Sequence, residues 1–287
     1  MFDSEIWNAW NWNPLLGLSL AIVGWRYMDV VWRLRRQSRV NVVPQWRIAS
    51  FWSGMLALFI ALISPLDALS EELLSAHMVQ HLLLMMVAAP LLCVGLTPLV
   101  LAWFLPRRSR PGLARWFNRR WRLMGVWRLV TNHAFTWMFF ALVLWLWHVP
   151  GAYQAALRDE TVHLLEHATF FGASVVFWST LLLPGRDGLS PGKTVLAIFT
   201  SALHSSVLGA LMTFSSSLWY PDYALLTSAW GLTPLEDQQL AGVVMWVIGG
   251  VIYLLVLLVV LYRWLAHMEH GNKAAANQRN IRRRVSG

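Results

Sequence analysis

Two histidines four residues apart form the most chemically informative pair in this chain. His77 and His81 open an apolar run that continues through Met85 and Met86. In an α-helix this spacing places both imidazoles on one face, and Met85 follows one turn further along that face. Nitrogen and thioether donors on a single apolar helix favour a soft transition metal, above all copper, and Cu(I) in particular.

A second pair repeats the same spacing. His163 and His167 are also four residues apart, with Glu166 between them. Metal-bound imidazoles usually donate their other N–H to an acceptor, so Glu166 is a candidate for orienting one of the two. A lone histidine at the edge of a membrane is commonly a packing residue, whereas two such pairs are more specific. We predict that both pairs supply the primary ligands of one copper site.

The composition is that of a membrane protein. Of 287 residues, 57% are apolar and only 13% are charged, whereas soluble domains carry about 25% charge. Nineteen tryptophans agree with this class, because indoles gather at membrane–water interfaces. The single cysteine, Cys93, excludes an intramolecular disulfide framework and a multi-thiolate metal site.

Apolar segments of about 20 residues span a bilayer as helices, and seven are present. They predict an all-α, polytopic membrane protein with one transmembrane domain over residues 1–270, followed by a basic tail at 271–287. The predicted helices are Leu15–Trp32, Trp46–Ser64, Ser75–Leu96, His133–Val149, His163–Leu183, Thr194–Ser215 and Gln238–Trp264.

The charges are divided between two sets of loops. Of the 23 Lys and Arg residues, 21 fall in alternate loops and in the C-terminal tail, and 11 of the 14 Asp and Glu residues fall on the opposite side. The positive-inside rule then predicts an external N-terminus and a cytoplasmic C-terminus in the cytoplasmic (inner) membrane. The basic loops are expected to meet anionic lipid headgroups. No nucleic-acid motif is present, so a nucleic-acid partner is not expected.

This topology assigns a depth to each candidate ligand. Both histidine pairs and His148 lie at the outer end of the bundle, where Asp237 and Gln238 begin the seventh helix. Met85, Met245 and His204 lie deeper. We therefore predict His77, His81, His148, His163, His167 and Asp237 as metal ligands, Met85, Met245 and His204 as further positions along the bundle, and Glu166 and Gln238 as residues that support the ligands.

Three other interpretations remain open from the residues alone. Imidazoles on two helices could hold haem, with His81 and His167 as axial ligands. Three histidines and an aspartate could hold zinc and an activated water, as in a membrane hydrolase. The histidines could also bind nothing, in a protein that acts as an assembly scaffold.

Four segments together resemble the CtaG-like family of integral-membrane cytochrome c oxidase assembly factors, which is associated with caa-type oxidases. They are Ser64–Asp67 leading into His77–His81, then Trp147–Pro150, Val162–His167 and Leu235–Trp246. The resemblance spans about two thirds of the chain and includes the seven-helix layout.

The resemblance implies a non-enzymatic role in respiratory-chain biogenesis. It implies a metallochaperone that helps to deliver copper to a haem–copper oxidase, with the oxidase subunits and an extracytoplasmic copper donor as partners. It also implies the same five outer histidines and Asp237 as the candidate ligands.

Overall fold

The computed structural model describes residues 6–37, 43–97, 100–101, 104, 132–182 and 190–285, with the side chains of these residues apart from 7, 267 and 270–285. Every regular element in these ranges is helical, which confirms the all-α prediction. The Arg-rich segment 107–128 and most of the loop 184–193, on which the predicted orientation depends, lie outside the described residues.

The described helices form nine elements. They are α1 (Pro14–Gln37), α2 (Gln45–Leu62), α3 (Pro65–Glu72), α4 (Leu74–Gly95), α5 (His133–Trp147), α6 (Pro150–Arg158), α7 (Glu160–Leu182), α8 (Pro191–Thr213) and α9, which comprises Pro234–Val243, Val244–Ile248 and Gly249–Val285. Short 3₁₀ turns occur at Ile6–Asn8, Pro221–Tyr223 and Thr227–Trp230.

Several of these helices are long and apolar enough to cross a membrane. Four pass by length and hydropathy, namely α1, α4, α8 and the Pro234–Ala266 part of α9, and the count rises to six if α2 with α3 and α5 with α6 each form one bent span. The α7 helix begins with a polar stretch containing two glutamates and two histidines and is not among them. A crossing by all seven predicted segments, and their orientation, therefore stay predictions.

Prolines begin helices that the sequence analysis did not anticipate. Pro65 and Pro150 are the first residues of α3 and α6, which bend away from the preceding helices by 46° and 71°. Proline suits the first turn of a helix because its missing N–H has no helical partner there. Ser64 caps α3, since its side chain accepts a hydrogen bond from the Leu66 N–H at 3.2 Å.

The α4 helix lies at the centre of the bundle. It is 61% buried along its span, against 22% for α1, and it packs between α2 on one side and α7 and α9 on the other. It continues past Pro90, because a π-helical segment, Leu83–Ala88, precedes the proline and changes the hydrogen-bond pattern there. A second π-helical segment, Val244–Ile248, interrupts α9.

The α8 and α9 helices approach each other at two glycines. A Cβ atom on Gly242 would lie 2.5 Å from the Gly209 carbonyl oxygen and 2.6 Å from the Thr213 nitrogen. Small residues allow such close approach between membrane helices, where van der Waals packing drives association. The position of α9 beside α8 therefore requires glycine at 242.

We expect Gly242→Ala to destabilise the protein because the new methyl group would meet backbone atoms that cannot move aside. Overpacking of this kind costs about 1–3 kcal/mol, which corresponds to a Tm lower by roughly 3–10 °C. Thermal unfolding of the detergent-solubilised protein measures this change in Tm. The matched control is Gly250→Ala in the same helix, where nothing lies within 4 Å of the new atom. Equal Tm values for both variants would contradict the packing described here.

Candidate metal centre

Asp237 holds the start of α4. The residue before this helix, Leu73, has no capping side chain, and the fully buried Asp237 of α9 supplies the missing acceptor. Its carboxylate accepts hydrogen bonds from the Leu74 N–H at 2.7 Å, the Ser75 N–H at 3.2 Å and the Ser75 hydroxyl at 2.5 Å. Both oxygens are used, so its position is that of a helix cap. The role of Asp237 as a metal ligand stays a prediction.

Three histidines and one glutamate from α4 and α7 meet next to this cap. One nitrogen each from His77, His163 and His167 and one oxygen from Glu166 all lie within 4.8 Å of one another. The ring centroids of His77 and His163 are 5.3 Å apart, and those of His77 and His167 are 5.8 Å apart. In a tetrahedral site with metal–ligand bonds of about 2.0 Å, the ligand atoms lie about 3.3 Å from one another. Small side-chain rotations would bring these four atoms to such distances around an ion.

A hydrogen-bond network sets the tautomers of the α4 pair. The Tyr223 hydroxyl donates to the Ser70 carbonyl at 3.0 Å and lies 3.2 Å from the Tyr153 hydroxyl and 3.1 Å from His77 Nδ1. Because its one proton goes to Ser70, His77 Nδ1–H is the donor to Tyr223. His77 Nε2 then accepts from His81 Nε2–H at 2.9 Å. This assignment leaves the lone pair of His81 on Nδ1.

The cluster contains buried polar atoms with no hydrogen-bond partner among the described residues. Both Glu166 oxygens, His163 Nε2 and His167 Nε2 are of this kind, although Glu166 lies 3.8 Å and 3.9 Å from the Nε2 atoms of His77 and His81. An unsatisfied buried polar group costs about 1–3 kcal/mol. A cation would satisfy the carboxylate and the imidazole lone pairs together, so the residues fit a metal ion held by nitrogen and oxygen.

A polar cavity of about 630 Å³ leads to the cluster, and both His77 and His163 line it. Its other lining residues include the carboxylates of Glu71, Glu72, Glu160 and Asp222. Arg158, also in the lining, donates to the two oxygens of Asp222 at 2.8 and 2.9 Å, and this hydrogen bonding lowers the pKa of Asp222. Glutamates line this route, and their negative charge favours the entry of cations.

The remaining predicted residues lie around the cluster or away from it. His148, Met85 and Met245 line a separate, smaller cavity together with His81. His204 lies deeper, with its ring against Trp137 at 5.8 Å. Gln238, predicted to support the ligands, instead binds the loop before α9, because its Oε1 accepts from the Trp219 N–H at 2.6 Å and its Nε2 donates to the Ser217 carbonyl at 3.0 Å.

Two tyrosines that contact the site were not predicted from the sequence. Tyr223 contacts His77 through its hydroxyl, and the Tyr153 ring lies 5.3 Å from the His77 ring. Neither shares a helical face with the histidine pairs, since Tyr153 belongs to α6 and Tyr223 to a 3₁₀ turn. The only sequence signal was the aromatic run Trp219-Tyr220-Pro221-Asp222-Tyr223 in a predicted outer loop.

Comparison with known proteins gives one family. The model described as "Cytochrome c oxidase caa3 assembly factor" matches residues 25–267. An uncharacterized protein of Mycobacterium bovis is 24% identical over 269 residues, covering 91% of this chain and 40% of that protein. An uncharacterized protein of Mycobacterium leprae is 21% identical over 279 residues, covering 93% and 41%. The chain thus spans about two fifths of the length of these relatives. No solved structure matches it.

Asp237→Ala should lower stability without changing the cluster of His77, His163, Glu166 and His167. The substitution removes the acceptor of two backbone N–H groups and one hydroxyl, and a lost helix cap costs about 0.5–2 kcal/mol. We expect a lower Tm together with unchanged metal stoichiometry in the folded protein, measured by elemental analysis. A Tm equal to that of the parent protein combined with loss of one bound metal would instead make Asp237 a ligand.

Proposed function

Since this chain belongs to the family of cytochrome c oxidase caa3 assembly factors, we propose that it assists oxidase assembly by holding copper at the His–Glu cluster and passing it on. Copper is here the cargo of the protein and is held transiently. The role is not enzymatic, and the receiving partner is a copper-containing subunit of the oxidase. An extracytoplasmic copper donor would load the cluster through the acidic cavity.

The observation that carries this proposal is that four possible metal-binding atoms of the cluster are buried without a hydrogen-bond partner among the described residues. Glu166 is fully buried and His77 nearly so, while His163 is half-buried and lines the cavity. Ionisable groups inside a membrane protein are expensive and mark functional paths. When His77 Nε2 binds copper, His81 Nε2–H loses its acceptor and can donate to Glu166 instead. The cluster then stays hydrogen-bonded in the loaded protein.

Copper fits the surroundings better than the two other metal-containing groups considered. The cavity beside His81, one of the two axial ligands predicted for haem, has a volume of about 30 Å³, enough for an ion or a water molecule and too small for a haem macrocycle on that side of the ring. Zinc suits three imidazoles and a carboxylate equally well, but the methionines beside His81 are ligands for soft metals such as Cu(I). Zinc found in the purified protein together with hydrolysis of a lipid would favour the hydrolase interpretation.

We expect His163→Ala combined with His167→Ala to remove at least one copper equivalent per chain, because two of the four donors of the cluster are lost. Copper content and affinity are measured on the full-length protein in detergent, by competition with a chromophoric Cu(I) chelator. In cells that depend on this protein for their caa3-type oxidase, the same variant should lower cyanide-sensitive oxygen consumption under copper limitation.

The matched control is His133→Ala, which removes an imidazole at the opposite end of α5 from His148. It should leave copper content and oxidase activity unchanged. Full copper content in the double variant would overturn the ligand assignment. Normal oxidase activity in a variant that binds no copper would show that assembly does not depend on the metal.

A further inference from the structure

A second cavity lies beside the cluster and has a different chemistry. It has a volume of about 30 Å³ and is lined largely by apolar side chains of α4, α5 and α9. Four methionines, all nearly or fully buried, contribute to the lining: Met78, Met85, Met86 and Met245. A methionine in a core usually fills a packing gap. Four methionines around one small cavity provide several thioether groups that could bind a soft metal ion.

Both π-helical segments of the protein's described residues border this cavity. Met85 and Met86 belong to the segment Leu83–Ala88, and Met245 belongs to Val244–Ile248. A π-helical turn shifts the side chains that follow it and is frequently found at functional sites. The Met85 carbonyl is held by the indole N–H of Trp178 at 2.9 Å. Two helices thus depart from α-helical geometry where they present methionines to the same space.

Two buried imidazole nitrogens complete the donor set. His148 Nδ1–H donates to the Leu144 carbonyl at 2.7 Å, so its lone pair lies on Nε2, which is buried without a partner among the described atoms. The network of Tyr223 and His77 leaves the lone pair of His81 on Nδ1, which is also buried and without a partner. Both rings line the cavity. An imidazole held by an N–H to a backbone carbonyl is the arrangement typical of metal ligands.

We infer that this cavity is a second, sulfur-rich site for Cu(I), with His81 and His148 as nitrogen ligands and thioethers from Met85 and Met245 completing the coordination. The inference rests on the proposed copper function and extends it to a second position. His81 connects the two sites, since its Nε2 lies 2.9 Å from His77 Nε2 and its ring also lines the cavity. Copper would thus move from a nitrogen and oxygen site to an adjacent nitrogen and sulfur site.

X-ray absorption spectroscopy at the copper edge tests this site directly. The full-length protein is loaded anaerobically with Cu(I) in detergent, and bound copper is counted in parallel. We expect two copper equivalents in the parent protein and a sulfur shell around part of the copper. Replacing Met78, Met85, Met86 and Met245 by leucine should remove one equivalent and the sulfur shell. If the fourfold variant does not fold, the milder variant M85L/M245L should reduce both the copper content and the sulfur shell.

Two controls separate this inference from the proposed function. Met55→Leu changes a buried methionine on α2 outside the cavity and should leave both copper equivalents and the sulfur shell intact. The variant H163A/H167A should lose one equivalent but keep the sulfur shell. A parent protein whose copper has no sulfur shell overturns the second site while leaving the first in place. A sulfur shell with no loss of copper in H163A/H167A supports the second site and overturns the first.

Discussion

The buried carboxylate of Asp237 is the contact on which the arrangement of α4 and α9 depends. It satisfies two of the N–H groups that begin α4, across 162 and 163 residues of sequence. A carboxylate is favoured there by the partial positive charge at a helix N-terminus, and Leu73, the residue before the helix, has no side chain that could cap it. The contact ties the first turn of α9 to the first turn of α4. It joins the first turns of the two helices, and the packing deeper in the bundle also contributes to how their side chains face each other.

Both histidines and methionines follow this cap along α4 and α9. His77 and His81 follow the capped end of α4, and Met85 and Met245 meet at the smaller cavity. The two glycines that bring α8 against α9 hold the other side of α9 in place. A cap at one level and a close glycine contact at another restrain both translation and rotation of α9. The histidine and methionine sites are thus parts of one rigid arrangement.

The cluster itself is unfavourable without a ligand. Glu166 is fully buried, and neither of its oxygens has a hydrogen-bond partner among the described residues. A buried polar group with no hydrogen-bond partner is costly, and two imidazoles whose buried Nε2 atoms also have no partner among the described residues lie beside Glu166. A bound cation would offset this cost.

The sequence determined the features that depend on local geometry. Helical periodicity alone places His77 with His81, and His163 with His167, on common faces, because residues four apart are neighbours on any α-helix. Hydropathy marks α1, α4, α8 and the first part of α9 as long and apolar enough to span a bilayer, since apolar stretches of this length are stable as helices in lipid.

Tertiary structure decided what depends on contacts between helices. It brought Glu166 among the donor atoms, placed the Asp237 carboxylate at the start of α4 and directed the Gln238 side chain to the loop before α9. The π-helical segments could not be predicted from the sequence either. Their stability depends on partners from other helices, such as Trp178, which donates a hydrogen bond to the Met85 carbonyl. Spacing along one helix cannot reveal which atom another helix presents to it, and that is why the donor set emerged only from the packed bundle.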